Sequence, residues 1–262
     1  MIHTRQVVFF APKHGNAEAE WEDGAAAAPA DDAGRGPRFA VADGATQGFG
    51  SARWAQQLVA GFVGDQGPAP DLTPTALHRW VSEAQRRWRD DPRLAGATDL
   101  QRLKQATVGS FATFLGCELL DLAGPRPRWS AVALGDAVLF HVRGGRVVTQ
   151  FPPLSPEEFG SNPDGLPTGS DGLADVIGRA SFAEGDLLDG DSLYLATDAF
   201  AQWAAAADGP GSWAALAALD HPDAFRALVT RARAAREMVN DDVTLMRVRL
   251  DRAPATHLVV CL

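Results

Sequence analysis

The run Phe39-Ala40-Val41-Ala42-Asp43-Gly44 decides the fold. Four apolar residues read as a strand, and they stop at a carboxylate followed by glycine, a pair that commonly turns the chain. The same figure returns further on. Ala133-Leu134-Gly135-Asp136 interrupts an apolar strand pair, Leu193-Tyr194-Leu195-Ala196-Thr197 ends at Asp198, and Asp241-Asp242 precedes Val243-Thr244-Leu245. Glu22-Asp23 follows the first strand-like run, Gln6–Ala11. Carboxylates at the ends of buried strands can converge at one mouth of a sheet sandwich, where like charges are costly unless a cation neutralises them. Oxygen-only ligands suit hard ions such as Mg²⁺ or Mn²⁺, and two such ions can convert a shared water to hydroxide for phosphoryl transfer. Each piece alone also has an ordinary reading. Asp43-Gly44 and Gly135-Asp136 are common turns, Asp198 can cap a helix, Asp241-Asp242 reads as a solvated pair and Glu22-Asp23 as plain surface.

Outward from these strands, two helices are expected. Trp54, Leu58 and Phe62 recur at four-residue spacing with Ala55 and Val59 alongside, giving one apolar stripe. Thr73-Pro74 offers a cap with proline at the first helical position, and Leu77, Trp80, Val81, Ala84 and Trp88 share a face up to Asp91-Pro92. The two read as an antiparallel hairpin. Val108–Leu120 and Arg128–Val142 are strand runs, and Gly144-Gly145 suits a tight turn inside the hairpin His141–Val148. Residues 24–37 read as a mobile low-complexity loop, and residues 152–172 as a long surface loop. One helix, carrying Phe225, Leu228, Val229 and Ala232, is expected before the last strand, Asp242–Leu250. No internal repeat is evident. Strands that cluster rather than alternate singly with helices argue for antiparallel sheets, hence an α+β fold.

Composition narrows the function classes. The chain has 262 residues, 46% of them hydrophobic, enough for a sizeable core. With 24 Lys+Arg against 33 Asp+Glu the formal net charge is −9, which argues against nucleic acid and against an anionic membrane surface as partners. No apolar run approaches the length of a bilayer span, and the stretch Val7–Ala11 is too short for a signal-peptide core, so a cytoplasmic location is expected. Two cysteines, Cys117 and Cys261, exclude a disulfide framework and a thiolate metal site by count.

Taken in order, the acidic motifs are far more specific than any one of them. Glu22-Asp23, Phe39 to Gly44, Gly109-Ser110-Phe111-Ala112-Thr113, Ala133 to Asp136, Gly190 to Asp198 and Asn240-Asp241-Asp242-Val243-Thr244 resemble the metal-dependent protein phosphatases, the type 2C or PPM-type serine/threonine phosphatases. The resemblance implies a single domain over residues 1–262, built as a four-layer αββα sandwich of two antiparallel sheets flanked by helices. It assigns Asp43 as the bridge between two ions, with the Gly44 carbonyl on the first and Asp198 and Asp241 on the second. Glu22 and Asp23 would act through ion-bound waters, and Asp136 would hold a third, weaker ion. The implied activity is Mg²⁺- or Mn²⁺-dependent hydrolysis of phosphoserine or phosphothreonine in proteins, opposite a cognate kinase.

Several positions depart from the family pattern. Ala45 stands where members often carry Met or His, and Ala199 follows Asp198 in place of glycine. Asn16 to Trp21 lacks the arginine that grips substrate phosphate in some members, leaving Lys13 or His14 as substitutes, although a basic residue there also reads as solvated. The stretch between Gln150 and Asp191, where members carry a flap, reads as short and loop-like. Two other readings therefore stay open: a non-catalytic or weakly active regulatory module on the same fold, and a small-molecule phosphatase. His78 and His141 read as structural, and most of the seven tryptophans as core.

Overall fold

The computed structural model describes residues 2–31, 34–45, 50–90, 98, 99, 103, 109–160, 163–206 and 210–252. Asp91, Pro92, Val108 and Cys261, which the sequence reading uses, lie outside the described residues.

Two antiparallel sheets form the centre. The first runs β1 (His3–Ala11), β11 (Val243–Asp251), β10 (Ser192–Ala196), β6 (Val138–Arg143), β7 (Arg146–Phe151) in spatial order. The second runs β2 (Asp23–Ala28), β3 (Arg38–Gly44), β4 (Phe111–Leu120), β5 (Arg128–Leu134), β9 (Ser181–Asp186), with the short β8 (Leu166–Pro167) also on β4. Strand side chains alternate between faces, and burial follows that period. Phe39 and Val41 of β3, Leu193 and Leu195 of β10, and Met246, Val248 and Leu250 of β11 fill the space between the sheets. The intervening Ala40 and Ala42 turn to the other side, under α1 (Ser51–Val63) and α2 (Pro74–Arg89). On the far face of the first sheet, Tyr194, Ala196, Val243 and Leu245 pack against α4 (Asp198–Ala206), α5 (Pro210–Ala217) and α6 (Pro222–Ala234). Three apolar layers thus separate four layers of secondary structure, the expected α+β sandwich.

The local signals explain the helix pair. Thr73 Oγ1 accepts from Ala76 N at 3.3 Å, with Pro74 as the first helical residue. α1 and α2 run antiparallel: Trp54 meets Trp88 edge to face at 5.7 Å, Phe62 meets Trp80 at 6.2 Å, and Gln57 Nε2 donates to Ala84 O at 2.6 Å. At the β6–β7 turn, Gly144 and Gly145 take φ of 58° and 76°, a conformation glycine adopts without strain.

Three sequence expectations need correction. Residues 24–37 are not all loop, because Gly24–Ala28 belong to β2 and pair residue by residue with β3. Alanine is a poor strand former, but the open edge of β3 needs a backbone partner, and small residues let α1 lie close. A Cβ on Gly24 would come within 2.9 Å of the Ala55 backbone. Secondly, the 150–191 stretch carries β8, the short helix α3 (Leu173–Gly178) and the edge strand β9. β9 is half exposed, so its alternation is weak, and only pairing with β5 reveals it. Thirdly, α4 and α5 precede α6; α4 is short and alanine-rich, with Phe200 and Trp203 as its large apolar residues, too brief a stripe to mark a helix by spacing. No helix among the described residues is long and apolar enough to cross a membrane.

Candidate metal centre

Asp43 continues the inward parity of Phe39 and Val41, so it leaves the sandwich core at the end of β3. Asp23 opens β2 and is its ladder partner. The first sheet supplies Asp198 from the end of β10 and Asp241 from the approach to β11. Asp136 sits in the turn that carries the chain from β5 in one sheet to β6 in the other. One edge of the sandwich thus collects acids from both sheets.

Asp23 is fully buried and ties the sheets together. Its Oδ2 accepts from Thr197 Oγ1 at 3.0 Å and Thr244 Oγ1 at 2.6 Å, both from the opposite sheet. Its Oδ1 has no donor among the described residues. Both carboxylate oxygens of Asp136, a residue 3% exposed, also lack a side-chain or ladder partner. Burial, with the charges of Asp23 and Asp198 adding to it, pushes Asp43 well above the usual carboxylate range. Burial likewise raises Asp198, reinforced by Asp136, Asp241 and Asp23, and it lifts Asp23. Asp136 is pushed up to about 6, again chiefly by burial. These are charges held close together without enough compensation.

Glu22 stands beside this group, its Oε1 accepting from Ser51 Oγ at 2.8 Å. Gly44 needs its missing side chain: a Cβ there would lie 2.7 Å from the Glu22 carbonyl and from the Ser51 backbone at the start of α1. Ala45, at the other departure from the family pattern, donates its backbone N–H to Phe111 O at 3.0 Å. Asp242, the second acid of its pair, points elsewhere. It is buried and accepts from the backbone of Lys13 at 2.8 Å and of Glu22 at 2.7 Å. Sequence reasoning gave it no role; the signal was its place beside Asp241.

Lys13 is not solvated. Its Nζ lies 3.0 Å from Asp241 Oδ1 and 3.8 Å from Glu22 Oε2. Burial works against its charge, but the hydrogen bond and charge of Asp241, then of Asp242 and Glu22, outweigh it and hold its pKa above the ordinary value. His14 is exposed, its N–H donating to Asn240 Oδ1. His141 is structural, as expected. It is buried far down the sandwich, with Nδ1 3.2 Å from Trp129 Nε1 and Nε2 2.8 Å from Asp191. His78 is exposed on α2. Trp54, Trp80, Trp88, Trp129 and Trp213 are core, while Trp21 and Trp203 are half-buried.

Among the described residues, no three Asp, Glu, His or Cys side chains already close on one point as a ligand set. The donor chemistry nevertheless fits a hard divalent ion: oxygen ligands only, several of them buried, and several pKa values raised chiefly by burial with the neighbouring carboxylates adding to it. In fold, two antiparallel sheets between helical layers, the chain resembles the PPM-type serine/threonine phosphatases.

Comparison with known structures agrees on the fold. The photosystem II phosphatase PBCP matches 96% of this chain and 100% of its own, at 17% identity and TM-score 0.62. The catalytic domain of the serine/threonine phosphatase PstP, solved with two manganese ions, matches 96% and 100% at 18% identity and TM-score 0.60. A serine/threonine phosphatase of S. agalactiae matches 94% and 99% at 15% identity and TM-score 0.59. No family model and no curated protein sequence matches the chain.

Proposed function

We propose that this protein is a Mg²⁺- or Mn²⁺-dependent phosphomonoesterase acting on phosphoserine or phosphothreonine in proteins, the counterpart of a protein kinase. The observation that carries this reading is the convergence of Asp23, Asp43, Asp136, Asp198 and Asp241 from both sheets at one edge, where the carboxyl pKa values of Asp23, Asp43, Asp136 and Asp198 are raised. Asp43, the Gly44 carbonyl, Asp198 and Asp241 would hold two ions, Glu22 and Asp23 would support them, and Asp136 would serve a third. Bound there, divalent ions supply Lewis acidity and lower the pKa of water at neutral pH.

The chain's own residues prepare that chemistry. Thr197 and Thr244 fix Asp23, and through its ladder pairing with Asp43 they fix the ends of β2 and β3. Asp242 holds the Lys13 and Glu22 backbones, so both side chains face the pocket. The net negative field would repel a phosphate dianion until cations neutralise it, which makes metal a condition of substrate binding. The fold of PstP, with its two manganese ions, supports the same reading. The test is hydrolysis of p-nitrophenyl phosphate and of a phosphothreonine peptide with Mn²⁺, with Mg²⁺ and in excess EDTA. Hydrolysis in Mn²⁺ or Mg²⁺ that EDTA abolishes is expected, with the peptide preferred. Turnover unaffected by EDTA refutes the metal site, and no turnover at all favours the regulatory-module reading.

A further inference from the structure

The segment carrying Lys13 is sewn to the segment carrying Asp241. Arg233 donates from Nη1 to Pro12 O at 2.9 Å and from Nη2 to Asp241 O at 2.5 Å, joining the two backbones through one guanidinium. Lys13 N–H donates to Asp242 Oδ1 at 2.8 Å, and His14 N–H to Asn240 Oδ1 at 2.7 Å. Four hydrogen bonds therefore fix residues 12–14 against residues 240–242. Within that frame the ammonium of Lys13 sits 3.0 Å from Asp241 Oδ1 and within 3.8 Å of Glu22, its side chain only 19% exposed. Arg233 donates to carbonyls and its charge acts on Asp241 and Asp242 from there, whereas the Lys13 ammonium is in direct ion-pair contact with the side-chain carboxylates of Asp241 and Glu22.

We propose that the Lys13 ammonium is the resident counter-ion of this acidic pocket, and that a divalent cation must displace it from Asp241, so that Lys13 sets how tightly the site holds metal. The inference rests on the metal-centre reading above. Asp241 Oδ1 cannot give its full charge to an ion while it accepts from Lys13, and the ammonium repels an incoming dication. Removing the lysine charge has two opposite effects. The metal-free protein loses the cation that offsets its clustered carboxylates, and the metal loses a competitor. A unit charge a few ångströms from a dication is worth at least about tenfold in affinity, even at water-like dielectric.

The experiment is calorimetric titration of Mn²⁺ into the parent protein, Lys13→Met, Lys13→Gln and Lys13→Arg, with thermal melts of each in EDTA and in saturating Mn²⁺. Both neutral variants should bind Mn²⁺ at least about tenfold more tightly than the parent, while Lys13→Arg stays close to it. In EDTA the neutral variants should melt below the parent, and Mn²⁺ should close or reverse that gap. Should the methionine variant fail to fold, the glutamine variant carries the same comparison. Equal or weaker Mn²⁺ binding in the neutral variants, with binding by the parent intact, overturns the counter-ion role and leaves the metal centre standing. Absence of Mn²⁺ binding by the parent and by every variant removes the metal centre and this inference together.

Discussion

Asp198→Asn tests the balance of charge at the sheet edge most directly. The substitution keeps the shape of the side chain and its local acceptor for Ala199 N, 2.6 Å away at the start of α4. It removes one negative charge from a group whose folded pKa burial, then Asp136, Asp241 and Asp23, push above the ordinary 3.8. The sign follows from linkage. A carboxyl with a raised folded pKa favours the folded state most below its unfolded pKa, and that stability is lost as pH rises through the folded value. With the Asp198 carboxyl pushed up to about 8, the loss spans roughly pH 4 to 8. In the metal-free protein at pH 8 the variant should therefore be more stable than the parent, by about 1–3 kcal/mol after allowance for coupling among the acids. At about 2–4 °C per kcal/mol for a chain of this size, its melting point should rise by roughly 2–12 °C. At pH 4 the two should melt together. Saturating Mn²⁺ at a hundred times Kd should stabilise the parent by about 2.7 kcal/mol, or about 5–10 °C. In Asp198→Asn that shift should shrink to a small fraction. Thermal melts at pH 4 and pH 8, in EDTA and in Mn²⁺, read all four values. A variant less stable than the parent at pH 8 in EDTA, with an undiminished Mn²⁺ shift, would refute the reasoning.

Other outcomes follow from the same structure. Asp43→Asn should cost more phosphatase activity than Asp136→Asn, because in the proposed site Asp43 serves both principal ions while Asp136 serves only a third; equal losses in steady-state assays contradict the assignment. Glu118→Ala leaves the buried Arg38, 2.5 Å from Glu118 Oε2, without its charge partner, and should cost about 3–5 kcal/mol in urea unfolding, most of it regained in the Arg38→Met/Glu118→Leu double variant. Asp191 accepts from Arg143 and bonds His141, and although burial opposes its charge these contacts hold its pKa well below 3.8. Its depressed folded pKa contributes stability above pH 4 that is lost as pH falls below it, so the deficit of Asp191→Asn should be largest at neutral pH and shrink in acid.

The sandwich was legible wherever large apolar residues keep a period. β3, β4 and β11 alternate between two cores, and the stripes of α1 and α2 are spaced as helices require. β2 was not, because Ala25 to Ala28 carry no alternation and become a strand only against β3. β9 and the α4–α5 pair escaped for the same reason: tertiary pairing and small side chains shape them, not a local pattern. In the site, acids that end apolar runs could be found one by one. What holds them could not. The bonds of Asp23 to Thr197 and Thr244, the clamp of Asp242 on Lys13 and Glu22, and the place of Lys13 beside Asp241 all span more than 170 residues of chain. A basic residue before a loop reads as solvated until the strand that faces it is placed.

The pairing of β1 with β11 joins His3 to Asp251 and Ala11 to Val243, and β11 is also the partner of β10. On a ribosome, this places the completion of the first sheet after almost every other element has emerged. The second sheet and the α1–α2 pair draw on residues from 23 to 186 and can assemble before that. Until then β1 waits with an open edge, and closing the long loop to its partner is a slow, entropically costly step. Asp241 arrives with that same strand. The most repulsive part of the molecule is thus put together last, when the rest of the fold is already in place to hold it.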